Sequence, residues 1–333
     1  MKLSKSARVG TLGVVASVIA FIFIMTQIDA NLFAQAWREA RYGYLLPCVV
    51  LLLLGLVARA QRWRALLADG LPLGRAFSIM NIAYLVNGVL PLRLGEVARV
   101  ALVARVDSRV TVPQTIATII VERLLDLLAV VILLSLALIV GSVPQELRLV
   151  GASSAALALL GFGLLIALAM RPAWAQNVLS WLIARLSVLQ RWPLARWLDQ
   201  FLEGLQPLAH PMTLFIALTW TTLAWALSVW AGYVLMYALY DRADLATTAL
   251  YIAAAAFAIA LPAVPGNVGT YEASILLALT AMGYAFDGRA LAFAVLVHAV
   301  NVFVHVSTGI VGFMAEGLSW DQFKQTAQTQ SLS

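Results

Sequence analysis

Residues 81–126 read NIAYLVNGVLPLRLGEVARVALVARVDSRVTVPQTIATIIVERLLD, and this stretch decides how the chain is read. An apolar run stops at Pro91, Arg93 and Glu96 follow, and beyond a polar turn a second apolar run carries Glu122, Arg123 and Asp126. An ionised group at the bilayer centre costs ~2.5 to 3.5 kcal/mol on insertion scales, so these groups need partners. Glu122 and Asp126 stand four apart and share a helix face, where a cation from another segment can meet them. Arg93, just upstream, is the expected cation.

Composition bounds the class. The chain has 333 residues, 62% of them hydrophobic and only 11% charged, with a mean hydropathy of +0.91. That is too apolar for a water-soluble globule and points to an all-α polytopic membrane protein. No ten-residue alternation suggests an outer-membrane barrel. The net charge of +6 is spread through loops that flank apolar segments, which is a topology signal and not a nucleic-acid surface. The single cysteine, Cys48, excludes an intrachain disulfide. Lys2, Lys5 and Arg8 precede an apolar run to Ile28 with no small-residue cleavage site, so this run is expected to be an uncleaved first helix.

Six spans are expected at about 10–28, 43–60, 113–140, 148–170, 212–240 and 289–315. Ala76 to Leu90 and Ala246 to Leu261 are each too short to cross a core of ~30 Å and end at proline, so both read as re-entrant helical hairpins. With the N-terminus and C-terminus cytoplasmic, sixteen of the 22 basic residues fall inside, Arg59, Arg62 and Arg64 among them, and five outside. That asymmetry obeys the positive-inside rule. The segment of about 174–205, with Trp174, Trp181, Trp192 and Trp197 among arginines, reads as an amphipathic linker in the inner interface between two halves of about 8–140 and 148–316. Together they form one domain over residues 1–333. Trp230, Tyr233, Tyr237 and Tyr240 read as an aromatic belt.

Both short segments break alike, at Pro91 to Glu96 and at Pro262 to Glu272, and both precede a span that carries polar groups. Entering from opposite sides, they form an inverted repeat, which places a binding site near the midplane between the two breaks. The broken-helix amides and a guanidinium fork at Arg93 suit a phosphate, although Arg93 serves equally as the permanent counter-ion of Glu122 or Asp126. Glu96 and Arg99, three apart, can pair locally, as can Arg123 and Asp126. Asn81 and Asn87 are expected in helix-to-helix hydrogen bonds. His298, Asn301 and His305 share one helix face that can meet Glu272. The two histidines, ~10 Å apart along the helix, cannot chelate one metal, so no metal is expected.

The motifs N-G-V-L-P-L-R-L-G-E-V-A-R at 87–99, V-E-R-L-L-D at 121–126 and P-A-V-P-G-N-V-G-T-Y-E at 262–272 resemble the flippase-like membrane family, the transmembrane region of lysylphosphatidylglycerol synthases, also called the multiple peptide resistance factor family. The resemblance covers roughly residues 8–316. It implies translocation of an aminoacylated phospholipid from the inner to the outer leaflet of the cytoplasmic membrane. In full synthases an aminoacyltransferase domain follows; this chain ends at Ser333 without it, so synthesis is not implied. Stand-alone relatives have been linked to hopanoid, glycolipid or polyprenyl-phosphate handling. The expected ligand is a phosphate-bearing membrane lipid, met by Arg93, Glu96, Arg99, Glu122, Arg123, Asp126, Asn267, Glu272, His298 and Asn301. No nucleotide-binding G-x-x-x-x-G-K-[ST] motif occurs, and no cofactor is expected. Other classes stay open: a membrane-embedded lipid-modifying transferase, or a partner subunit of a lipid synthase, with a homo-oligomer a further possibility.

Overall fold

In an apolar medium a chain must satisfy its backbone groups within itself, and every regular element among the described residues is helical. The computed structural model describes residues 29–68, 70–89, 94–106, 110–140, 145–186, 193–260 and 265–317. The helices are α1 (Ala30–Glu39), α2 (Leu45–Leu66), α3 (Leu73–Val89), α4 (Gly95–Val106), α5 (Val112–Val140) and α6 (Gln145–Met170). They continue as α7 (Pro172–Arg185), α8 (Leu194–Ala209), α9 (Pro211–Met236), α10 (Leu245–Ala260), α11 (Thr270–Ala281) and α12 (Gly288–Ala315). The run expected at 10–28 lies outside the described residues.

Local chemistry sets several ends. Asp29 Oδ1 caps α1 by accepting from Asn31 N at 2.8 Å, and Asp287 Oδ1 caps α12 by accepting from Ala290 N at 3.0 Å. Pro172 and Pro211 open α7 and α9, where a missing N–H is no loss.

By length and composition three segments among the described residues can cross a membrane: Tyr42–Leu66, Pro211–Met236 and Gly288–Ala315. A fourth arises if Ala156–Met170 and Pro172–Arg185, bent by 94°, count as one. Helix α5 has 29 residues, long enough to span, but it carries Glu122, Arg123 and Asp126. Exposed apolar side chains such as Leu46, Leu149, Leu160 and Met314 suit a lipid-facing surface and are not a flaw of packing.

Helices α2 and α9 lie together, Gly55 of α2 facing the backbone of Ala224. Helices α3 and α12 run antiparallel: Gly312 abuts Ser78, and Gly309 abuts Asn81 and Leu85. Thr308 Oγ1 joins Asn81 Oδ1 at 3.0 Å across that contact, the helix-to-helix bond expected of an intramembrane asparagine. Helix α4 folds back on α3, and α11 folds back on α10. One apolar cluster joins α3 and α4 to the last turns of α2 and Phe313 of α12; another joins α10 and α11 to the first turns of α2 and α12 and to α1. The two helical hairpins therefore stand at opposite ends of α12, with their tips at its middle, where Tyr84 meets His305 and Tyr271 meets His298.

Two expectations are corrected. Arg59, Arg62 and Arg64 are not in a loop, because α2 continues to Leu66 and Arg62 is 1% exposed. The segment of 174–205 is two helices and not one, with Pro193 at the start of α8. Gln176 Nε2 bonds Asp199 Oδ1 at 2.8 Å between them, and α8 packs its Leu202, Leu205 and Leu208 on α5 and α6.

The return of α4 on α3 depends on Gly95, since a Cβ there would lie 2.0 Å from the Ala83 carbonyl oxygen and 2.6 Å from Asn87 Oδ1. Gly95→Ala is expected to destabilise the protein by about 1 to 3 kcal/mol or more. Gly74→Ala, at a helical glycine with nothing within 4 Å, should leave the melting temperature in detergent unchanged or raise it.

Candidate functional site

The charged groups of the 81–126 stretch do meet, but with cations from α2. Arg62 lays a two-pronged guanidinium on Asp126, with Nη1 to Oδ1 at 2.6 Å and Nη2 to Oδ2 at 3.2 Å. Its Nη2 also lies 3.5 Å from Glu122 Oε1, and Arg99 Nη1 takes the other oxygen of Glu122 at 2.6 Å. Trp225 Nε1 donates to Asp126 Oδ1 at 3.1 Å, and Arg59 Nη1 stands 3.6 Å from the same oxygen. Arg123 pairs with Glu96 and lies 3.9 Å from Asp126 Oδ2. Aromatic faces complete the shell: the Arg99 guanidinium sits 3.6 Å over Trp63, and that of Arg59 sits 5.1 Å over Trp225.

This pairing differs from the expected one. Glu122 and Asp126 share a face as their spacing requires, yet their neutralising groups are Arg62 and Arg99, while Arg93 lies outside the described residues. Glu96 and Arg99, which could pair with each other, each reach a partner on α5. Arg59, Arg62, Trp63 and Trp225 were missed. The signal was there in the three-residue spacing of Arg59 and Arg62 and in the unbroken helical composition up to Leu66.

At the second tip, Gly266, Asn267 and Gly269 have φ of 72°, 54° and 89°, a left-handed path that glycine and asparagine take most cheaply. Glu272 then turns back, its Oε2 accepting from Gly269 N at 2.7 Å, and its Oε1 lies 2.5 Å from His298 Nδ1. Tyr271 stacks on the His298 ring with centroids 4.5 Å apart. The first tip uses the same device, with Asn87 Oδ1 accepting from Gly95 N at 2.8 Å.

Between the tips lies a cavity of about 570 Å³. Its wall is mostly apolar, from α2, α3, α5, α9, α10 and α12. Arg59, Arg123 and Asp126 face it on one side; Asn267, His298 and Asn301 face it on the other. Glu96, Arg99, Glu122 and Glu272 do not line it and hold the lining residues from behind. No cluster of three or more potential metal ligands occurs among the described residues.

These features define a helical membrane protein with a charged cleft enclosed between two broken-helix tips. The chain matches the Lysylphosphatidylglycerol synthase TM region over residues 10–309, and it belongs to that family. Comparison with curated proteins and with solved structures returns no match.

Removing Arg62 would leave Glu122 half-paired and deprive Asp126 of its forked partner, both in a buried setting. Arg62→Met is expected to cost about 3 to 5 kcal/mol, the penalty for a stranded buried charge, whereas Arg123→Met, at a half-buried position, should cost less. Comparing the two variants by thermal unfolding in detergent checks this order.

Proposed function

We propose that the protein is a lipid translocase that moves a phosphate-bearing lipid between the leaflets of the cytoplasmic membrane. The cavity between the two tips carries this reading, because it joins an apolar wall, fit for acyl chains, to guanidinium groups fit for a head-group phosphate. Family membership supports a lipid-related role. The lipids in view are an aminoacylated phospholipid, another head-group-modified lipid or a polyprenyl lipid. The transport would be passive or ion-coupled, with no enzymatic step.

In the same reading the two hairpins are re-entrant elements of an inverted repeat, inserted from opposite faces beside six full spans. Their opposed placement along α12 supports it. Transporters of this kind bind substrate at discontinuous helices near the midplane. The basic residues around α3 and α4 support a cytoplasmic position for their open end.

Two measurements test the proposal. Single cysteines at Arg75 and Arg105, the exposed open end of the first hairpin, should label from the cytoplasmic side in a Cys48→Ala background, and one at Asp241 from the other side. Labelling of Arg75 and Arg105 from opposite sides would remove the re-entrant arrangement. In proteoliposomes, head-group-labelled phospholipid should equilibrate between leaflets faster than in protein-free vesicles. Ala256→Trp, which fills the cavity wall, should abolish that gain while leaving the melting temperature within a few degrees.

A further inference from the structure

The charged cluster that α2, α4 and α5 build beside the cavity has more cation than anion. Among the described residues, Arg59, Arg62, Arg99 and Arg123 meet three carboxylates, Glu96, Glu122 and Asp126. The most buried guanidinium groups, Arg62 and Arg99, are committed to Glu122 and Asp126. The two that face the cavity are Arg59 and Arg123, with side chains 18% and 38% exposed.

Asp126 is the one carboxylate on the cavity lining, and its oxygens are occupied. Oδ1 takes Arg62 Nη1 at 2.6 Å and Trp225 Nε1 at 3.1 Å, with Arg59 at 3.6 Å; Oδ2 takes Arg62 Nη2 at 3.2 Å, with Arg123 at 3.9 Å. Three hydrogen bonds and two further guanidinium groups within 4 Å already match the charge of this carboxylate, so it holds little attraction for an incoming ammonium. Glu272, on the opposite side, is spent on Gly269 N and His298. The site thus offers an anion two guanidinium groups and offers a cation no open carboxylate. Other polar lining residues, among them Asn87, Ser228, Asn267, His298, Asn301 and His305, are hydrogen-bonding groups suited to hydroxyls.

Taking the transport reading above as its basis, we infer that the cavity selects a phosphodiester lipid with one net negative charge and a hydroxyl-bearing head, that Arg59 holds its phosphate, and that an ammonium-bearing aminoacylated head is discriminated against. Arg59 is suited to this because its guanidinium lies 5.1 Å over the Trp225 ring, which fixes the fork in place, and because it shares Asp126 with a stronger partner. An anion arriving at Arg59 therefore gains a cation without breaking the forked Arg62–Asp126 pair. An ammonium arriving there meets two like charges in a low-dielectric cavity, which is the repulsive element that selectivity requires.

The test is equilibrium binding to the purified full chain in detergent, read by native mass spectrometry, with phosphatidylglycerol, lysyl-phosphatidylglycerol and phosphatidylcholine as probes. Phosphatidylglycerol should bind roughly tenfold or more tightly than either of the others, the scale of one charge-assisted contact. Arg59→Gln should erase the preference, and Arg59→Lys should keep part of it because the charge remains while the fork is lost. Lysyl-phosphatidylglycerol binding as tightly as phosphatidylglycerol overturns the inference, and so does an unchanged preference in Arg59→Gln. If Arg59→Gln does not fold, the preference of the unaltered chain and the behaviour of Arg59→Lys still decide. Inorganic phosphate that displaces the lipid at equal concentration would identify a site for a free anion and overturn it too. Absence of leaflet exchange in proteoliposomes with this binding preference intact would remove the transport reading alone.

Discussion

Arg62 stands where α2, α5 and α9 come together, and the surrounding structure follows from what it must neutralise. An arginine 1% exposed in an apolar surround is tolerable only with its charge matched. Asp126 and Glu122 supply the charge, and Thr221 Oγ1 on α9 lies 3.4 Å from Nη1. Because Glu122 has a second oxygen, it draws in Arg99 and hence α4, and Arg123 beside it draws in Glu96 of the same helix. One helix turn of α5 thereby fixes the positions of α2, α4 and α9. Such a network is all-or-none, since a half-satisfied buried ion pair is worse than none.

The second constraint is the broken helix. Ending α3 and α10 inside the bundle exposes backbone amides at the start of the helix that returns, and lipid cannot satisfy them. Both tips solve this with one side-chain oxygen: Asn87 for Gly95 and Glu272 for Gly269. Both acceptors are also placed by the opposing geometry. Asn87 lies on the cavity wall, and Glu272 is held by His298 of α12, the helix that both hairpins share. The tips approach each other at Gly88 and Gly266, where an added Cβ would still lie 3.8 Å from the Gly88 carbonyl oxygen. The cavity is the space this encounter leaves.

Charge and apolar area play different roles in that cavity. The apolar wall sets what can enter, and the pairing of each guanidinium sets what can stay. Arg62 and Arg99 are buried and each is ion-paired within the wall, so they hold the helices. Arg59 and Arg123 lie farther from Asp126, Arg123 being paired with Glu96, and both face the open space.

The sequence by itself determined the helical membrane class, since 62% hydrophobic residues leave no other solvent for the chain. It also foretold that α3 and α10 are short and that α4 and α11 fold back on them, since proline- and glycine-containing stretches follow both. The shared face of Glu122 and Asp126, and of His298 and Asn301, was legible for the same local reason: helical spacing is a property of the sequence. What only the tertiary structure decided is which cation meets which carboxylate. Arg93 and Arg62 are equally charged in the sequence. Arg62 pairs with Asp126 because α2 runs to Leu66 and α9 packs along it, bringing together residues 64 positions apart. The same long-range contact moved Glu122 and Arg99 from the cavity into the wall behind it, because ion pairs close on the partner that folding brings nearest in space.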